Sequence, residues 1–214
     1  MKTDTTQSAS SSPHPKDFSD EFRAWLSRGN PGELREGAKS GQVEISYDQG
    51  DLIVVVEHLE DRWYGVSYRS VWYVDGRDHF LFSCRTLETV EKLLAVRHGW
   101  AVRRYAGHLW IPERTDRDNL APGVELRELE AVEHIPGRYP WSPVQERVSR
   151  REELVLNGVS LVRYLPITTI PLRESAAASW VVIHSVGDII ASLAHPMGLP
   201  SFPLDSATPR PGYR

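Results

Sequence analysis

An α+β fold, an antiparallel β-meander packed by helices, is what this sequence predicts, and three observations carry that prediction. Short runs of β-branched and aromatic residues follow one another between positions 43 and 82, separated by turn-forming residues. Asp75-Gly76 and Asn157-Gly158 each sit between such runs; a type I′ hairpin turn needs positive φ at both central residues, which these pairs tolerate best. Stretches with an apolar period near 3.6 residues stand before and after the strands.

Taken in order, Phe18, Phe22, Trp25 and Leu26 fall at i, i+4, i+7 and i+8, the stripe of an amphipathic helix that Asp17 or Ser19 caps and Gly29 ends. Val43, Ile45 and Tyr47 alternate with polar residues, Asp48-Gln49-Gly50 is a turn, and Leu52 to Val56 is a continuous β-branched run. After a second turn at Glu57 to Asp61, the strands continue through Trp63–Tyr68 and Val71–Val74 to His79–Phe82. Thr86 then caps a helix with the stripe Leu87, Val90 and Leu94, its acidic start (Glu88, Glu91) and basic end (Arg97, His98) suit the helix dipole, and Gly99 closes it.

Residues 100–111 have strand-like sequence, and 112–151, rich in mixed charge and proline, are expected to connect two parts. Beyond them Leu154–Leu156 and Val159–Leu165 form a hairpin and Trp180–His184 a further strand. Ser185-Val186-Gly187-Asp188 has the form of a capping box opening a helix along Val186, Ile189, Ile190 and Leu193 that Pro196 stops. The organisation expected is therefore a disordered tail over 1–16, a helix, meander and helix over 17–111, a connecting region over 112–151, a hairpin, strand and helix over 152–196, and a Pro-rich tail over 197–214. Both halves end in a strand running into a capped helix, a pattern consistent with two similar β-plus-helix halves.

The chain has 214 residues, enough to bury a core as one domain or two small ones without covalent staples. Its 25 basic and 29 acidic residues leave a net charge of -4, which gives no field able to hold a phosphate backbone, so nucleic acid is not an expected partner. A single cysteine, Cys84, can form no disulfide within the chain and reads as a small buried hydrophobe. The first 16 residues lack the apolar core of a signal peptide, and no apolar run approaches the roughly 18 residues of a membrane span. A cytoplasmic protein that engages no membrane is the expectation.

Residues that carry chemistry are hard to find. No two of the eight histidines lie three or four positions apart, as a helical metal pair would. Glu57, His58, Glu60 and Asp61 make one local cluster of acid and imidazole, more simply a polar turn. Gly-x-Ser-x-Gly, Walker and Gly-x-Gly-x-x-Gly patterns are all missing. No catalytic residue, cofactor or metal is therefore assigned, and a binding role is favoured over an enzyme. Trp, Tyr and Arg are the usual anchors of protein interfaces. Adjacent strand residues face opposite ways, so one of Trp63 and Tyr64, and one of Trp72 and Tyr73, faces outward. Strand and turn reasoning alone makes Asp61, Trp63, Trp72, Asp75 and Arg77 the candidate interface.

Several segments together resemble a known family. Phe22-x-x-Trp25-Leu26, Arg62-Trp63-Tyr64-Gly65-Val66, Phe80-Leu81-Phe82-Ser83 leading into Thr89-Val90-Glu91-Lys92-Leu93-Leu94, and Gly99-Trp100-Ala101-Val102-Arg103 are similar to the tuberculosis necrotizing toxin antitoxin family, with a fainter echo at Trp180-Val181-Val182-Ile183. The likeness spans roughly Asp20 to His195 and rests on pattern and aromatics; the two tails and the connecting region depart from it. It implies an immunity factor that binds a cognate secreted NAD+ glycohydrolase toxin in a 1:1 complex and covers its active site, with no chemistry of its own. A secretion chaperone or adaptor for an exported effector is the alternative from the same residues.

Overall fold

The computed structural model describes residues 12–28, 32–47, 51–59, 62–70, 79–108, 120–135, 145–164, 171–199 and 201–202. They contain eight strands, β1 (Glu33–Glu36), β2 (Gln42–Tyr47), β3 (Leu52–His58), β4 (Tyr64–Ser70), β5 (His79–Cys84), β6 (Val124–Ile135), β7 (Gln145–Leu156) and β8 (Val159–Tyr164). Four α-helices join them, α1 (Asp20–Leu26), α2 (Leu87–Tyr105), α3 (Pro171–Val182) and α4 (Val186–Ala194). The strands form one antiparallel sheet in the order β1-β2-β3-β4-β5-β8-β7-β6. Two meanders, β1–β5 and β6–β8, therefore meet at a seam held by Phe82↔Tyr164, Ser83↔Arg163 and Cys84↔Val162.

The register assigns each residue to a face. Val43 and Ile45 pair with Val56 and Val54, Val56 with Val66, Val66 with Phe82, and across the seam Cys84 with Val162 and Val162 with Leu154. This row packs with Phe22, Trp25, Val90, Leu94, Val182, Ile189 and Leu193 into one core, so all four helices cover one face of the sheet. Burying each large apolar side chain there contributes about 1.5–3 kcal/mol. Polar anchors fix the helices: the Trp25 indole donates to Ala95 O at 3.0 Å. The Glu91 carboxylate accepts from the Ser19 amide (2.6 Å) and hydroxyl (2.8 Å), although burial raises its pKa. Buried Arg103 donates to the carbonyls of Leu193, His195 and Pro196 at 2.7–2.9 Å, which end α4.

Several expected features are present. Ser19 caps α1, Thr86 caps α2, and Ser185 accepts from the Asp188 amide while donating to its carboxylate at the start of α4. Asn157 and Gly158 take φ of 51° and 82° in the β7–β8 turn, as a type I′ hairpin requires. Asp48-Gln49-Gly50, Asp75-Gly76 and Gly29 lie outside the described residues.

Other expectations are corrected. Gly99 does not close α2, which runs on to Tyr105 through the first part of the expected 100–111 strand. A Cβ at Gly99 would lie 2.8 Å from the Leu193 side chain, so this glycine allows α2 and α4 to approach closely. The stop is Gly107 (φ 69°): its N–H bonds Arg104 O and that of His108 bonds Arg103 O, a Schellman motif.

Trp180–His184 is not a strand; Trp180 to Val182 end α3, where Pro171 occupies the first turn and Ala176 to Ala178 favour helix. That removes the strand from the proposed likeness between the halves. The region 112–151 is not only a connection, since it holds β6 and the first half of β7. Of the N-terminal segment read as tail, His14 caps a 3-10 turn at Pro15–Asp17 and its imidazole lies 2.8 Å from Glu36 on β1. No single helix among the described residues is long and apolar enough to cross a membrane; α3 and α4 reach that length only together, across a 110° bend.

Candidate functional site

Alternation along each strand sends the remaining side chains to the face that no described helix covers. From β2 to β4 these are Gln42, Glu44 and Ser46, Ile53, Val55 and Glu57, then Gly65, Ser67 and Arg69. Across the seam the row continues through Ser83, Arg163, Glu153 and Arg127. A sheet face open to a partner is expected to carry such polar residues, but here many are buried, including Gln42, Glu44, Ser67, Ser83 and Glu153.

At two sites on this face charge is layered by depth. Glu44 accepts from Nε and Nη2 of Arg35 at 3.2 and 3.0 Å and lies 3.7 Å from Nη1 of Arg69. The Glu44 side chain is 5% exposed, against 47% for Arg35 and 33% for Arg69. Glu153 repeats the arrangement, 6% exposed beneath a 37% exposed Arg163 whose Nε donates to it at 2.8 Å. A buried carboxylate needs such a partner, because unpaired ions in a low dielectric are strongly disfavoured. At these two sites the carboxylates lie deep and the guanidinium groups reach solvent, while Glu33 and Glu125 on the same face stay exposed.

Trp63 and Tyr64 part as strand geometry requires. Tyr64 packs on the helix-side core, whereas Trp63 lies on the helix-free face. It is buried there, with the Arg163 guanidinium 4.0 Å from its ring centroid and that of Arg85 at 5.7 Å. The ring supports these two cations and does not reach solvent itself. Asp61, Trp72, Asp75 and Arg77 lie outside the described residues.

Arg35, Glu44, Arg69, Glu153 and Arg163 were not among the sequence candidates. The available signal was Arg163 within Val159–Tyr164, a cation in a strand that otherwise reads as half-apolar.

Groups that could do chemistry elsewhere serve packing. Burial pushes the Cys84 thiol well above its ordinary pKa, leaving it a poor nucleophile. Buried His98 bonds Arg28 O at 3.1 Å between the rings of Trp25 and Tyr47, and burial lowers its pKa. Glu57 accepts from Gln42 at 2.7 Å, and His58 stands edge-on to Tyr64. Among the described residues, no three His, Cys, Asp or Glu lie where they could hold a metal ion.

A family model described as Immunity protein 61 matches residues 28–201, most of the chain and both meanders. The chain belongs to that family. This immunity protein is also similar in structure to Rv3902c from M. tuberculosis, with a TM-score of 0.65 and 17% identity over 87% of this chain and 94% of that one, a likeness of fold. No curated protein matches it significantly. Membership of the family makes the molecule an immunity protein, whose role implies binding a cognate toxin.

Proposed function

We propose that this immunity protein neutralises a secreted NAD+ glycohydrolase toxin by laying the helix-free face of its sheet over the toxin's active-site cleft, as a 1:1 complex and without chemistry of its own. The observation that carries the choice of face is the layering of guanidinium groups above sunken carboxylates at Arg35, Arg69 and Arg163. Arginine held in this way is the side chain best suited to anchor an acidic partner surface. The choice of toxin class rests on the sequence resemblance at Phe22-x-x-Trp25-Leu26, Arg62 to Val66 and Phe80 to Leu94.

Restraining a lethal enzyme calls for nanomolar binding, about -12 kcal/mol. An interface of roughly 1,600 Å² supplies that when a few anchors are well desolvated. The test is NAD+ turnover by the toxin encoded beside this protein, titrated with purified immunity protein. Turnover should fall to zero at one equivalent; a toxin that binds but consumes no NAD+ would refute the toxin class alone.

A further inference from the structure

We infer that Arg163 is a pre-set receptor for one carboxylate of the partner, an aspartate or glutamate side chain on the toxin, placed at the seam between the two meanders. This inference rests on the proposed binding face and names the partner chemistry that the face takes.

A guanidinium has two edges that can pair with a carboxylate, one formed by Nε and a terminal nitrogen, the other by both terminal nitrogens. In Arg35 the first edge is spent, since Nε and Nη2 both donate to Glu44. Arg163 is different. Its Nε donates to Glu153 at 2.8 Å, and among the described residues neither terminal nitrogen has a hydrogen-bond partner. The end-on edge of the fork is thus open on a side chain that remains 37% exposed.

Three contacts hold that edge in one place. The guanidinium lies over Trp63, 4.0 Å from the ring centroid. Glu153 grips it from below, buried and opposite Arg163 in the β7–β8 register. The backbone beneath is ladder on both sides, paired with Ser83 of β5 and Glu153 of β7. Arginine loses much rotamer freedom when it binds, and a side chain already fixed by stacking and an ion pair has little left to lose. Glu153 neutralises part of the charge, but it faces Nε, so an incoming carboxylate meets the terminal nitrogens without meeting Glu153 first. A phosphate would fit the same fork; a protein carboxylate is the choice here because the family's role is to bind a protein.

The experiment is calorimetric titration of the neighbouring toxin domain into four forms of the full chain. Arg163→Lys keeps a cation above Glu153 and removes the fork, and should weaken binding about 10-fold. The double variant Glu153→Gln/Arg163→Met leaves no buried carboxylate unpaired, so it should keep its fold by circular dichroism and thermal melt, and should lose about 30-fold or more. Arg104→Gln, exposed at the end of α2 on the helix side of the sheet, should bind within threefold of the wild type. Single alanine changes at exposed Asp and Glu of the toxin should then reveal one whose loss is not additive with that of Arg163→Lys. Binding of the folded double variant within threefold of the wild type, or no toxin carboxylate coupled to Arg163, overturns the inference while leaving the immunity role intact. Failure of the wild-type chain itself to bind the toxin overturns the proposed function as well.

Discussion

The two faces of the sheet bury different mixtures of residues, mainly apolar on the helix side, and on the other side Val55 and Val155 beside buried carboxylates. On the helix side, Val43, Ile45, Val56, Val66 and Val162 meet Trp25, Leu94 and Ile189, and polar groups enter only where a helix needs an anchor. On the other side Glu44 and Glu153 sit as deep as the valines do, each kept there by an arginine that reaches solvent. Apolar burial stabilises the fold outright, whereas a buried ion pair contributes little net stability over an apolar replacement. The difference teaches that the helix side carries most of the apolar stabilisation, while on the other side the arginines are the groups that reach solvent.

Substitutions should separate these roles, the helix side moving stability and the other side moving affinity. The largest effect is expected from Trp25→Ala, which empties a fully buried ring site and frees the carbonyl of Ala95; unfolding in urea should show a loss of about 3–5 kcal/mol. Next comes Arg103→Met, which leaves the carbonyls of Leu193, His195 and Pro196 without their donor and should lower stability by about 2–4 kcal/mol in the same measurement. On the other face Arg35→Gln should cost less than about 1 kcal/mol, because Arg35 is half exposed and Arg69 still faces Glu44. A result in which Arg35→Gln destabilises as much as Arg103→Met would erase the distinction.

The smallest effect is a slope. Burial depresses the pKa of His98 in the folded protein below its ordinary 6.5, so its neutral form is preferred there. The stability it contributes is present above the unfolded value and is lost as pH falls through the folded value. His98→Gln, which can still donate to Arg28 O, should therefore flatten the fall in urea midpoint below pH 6.5 and leave the midpoint above it parallel to the wild type. Glu91 has a raised pKa and acts in the opposite sense, but it is common to both proteins and cancels in their difference.

How much of this was legible depends on whether the signal is local. Caps at Ser19, Thr86 and Ser185 and the Asn157-Gly158 turn are set by residues within four positions, and they stand where the sequence puts them. Gly99 misleads because its role is a contact with Leu193, ninety-four positions away. Trp180 to Ile183 reads as a strand because α3 is apolar on several sides, and a fully buried run has no period to distinguish strand from helix.

β6 and the first half of β7 escape because they are built on charge. Their pairing is a register of two twelve-residue strands, visible only once the two are aligned. Of the five sequence candidates Trp63 alone falls among the described residues, and it lies buried against the guanidinium group of Arg163. Arg163 and Glu153 were not legible, since their pairing joins strands whose register no local pattern reveals.

Cysteine footprinting tests the central claim most directly. Cys84 is fully buried with a raised thiol pKa, so it stays silent toward a maleimide, and a single new cysteine reports on its own position. Arg127→Cys places one on the helix-free face beside Glu153 in the register, and Arg104→Cys places one at the exposed end of α2. Saturating toxin should slow labelling at position 127 at least tenfold and leave position 104 unchanged. Protection at position 104 with free labelling at 127 would contradict the account.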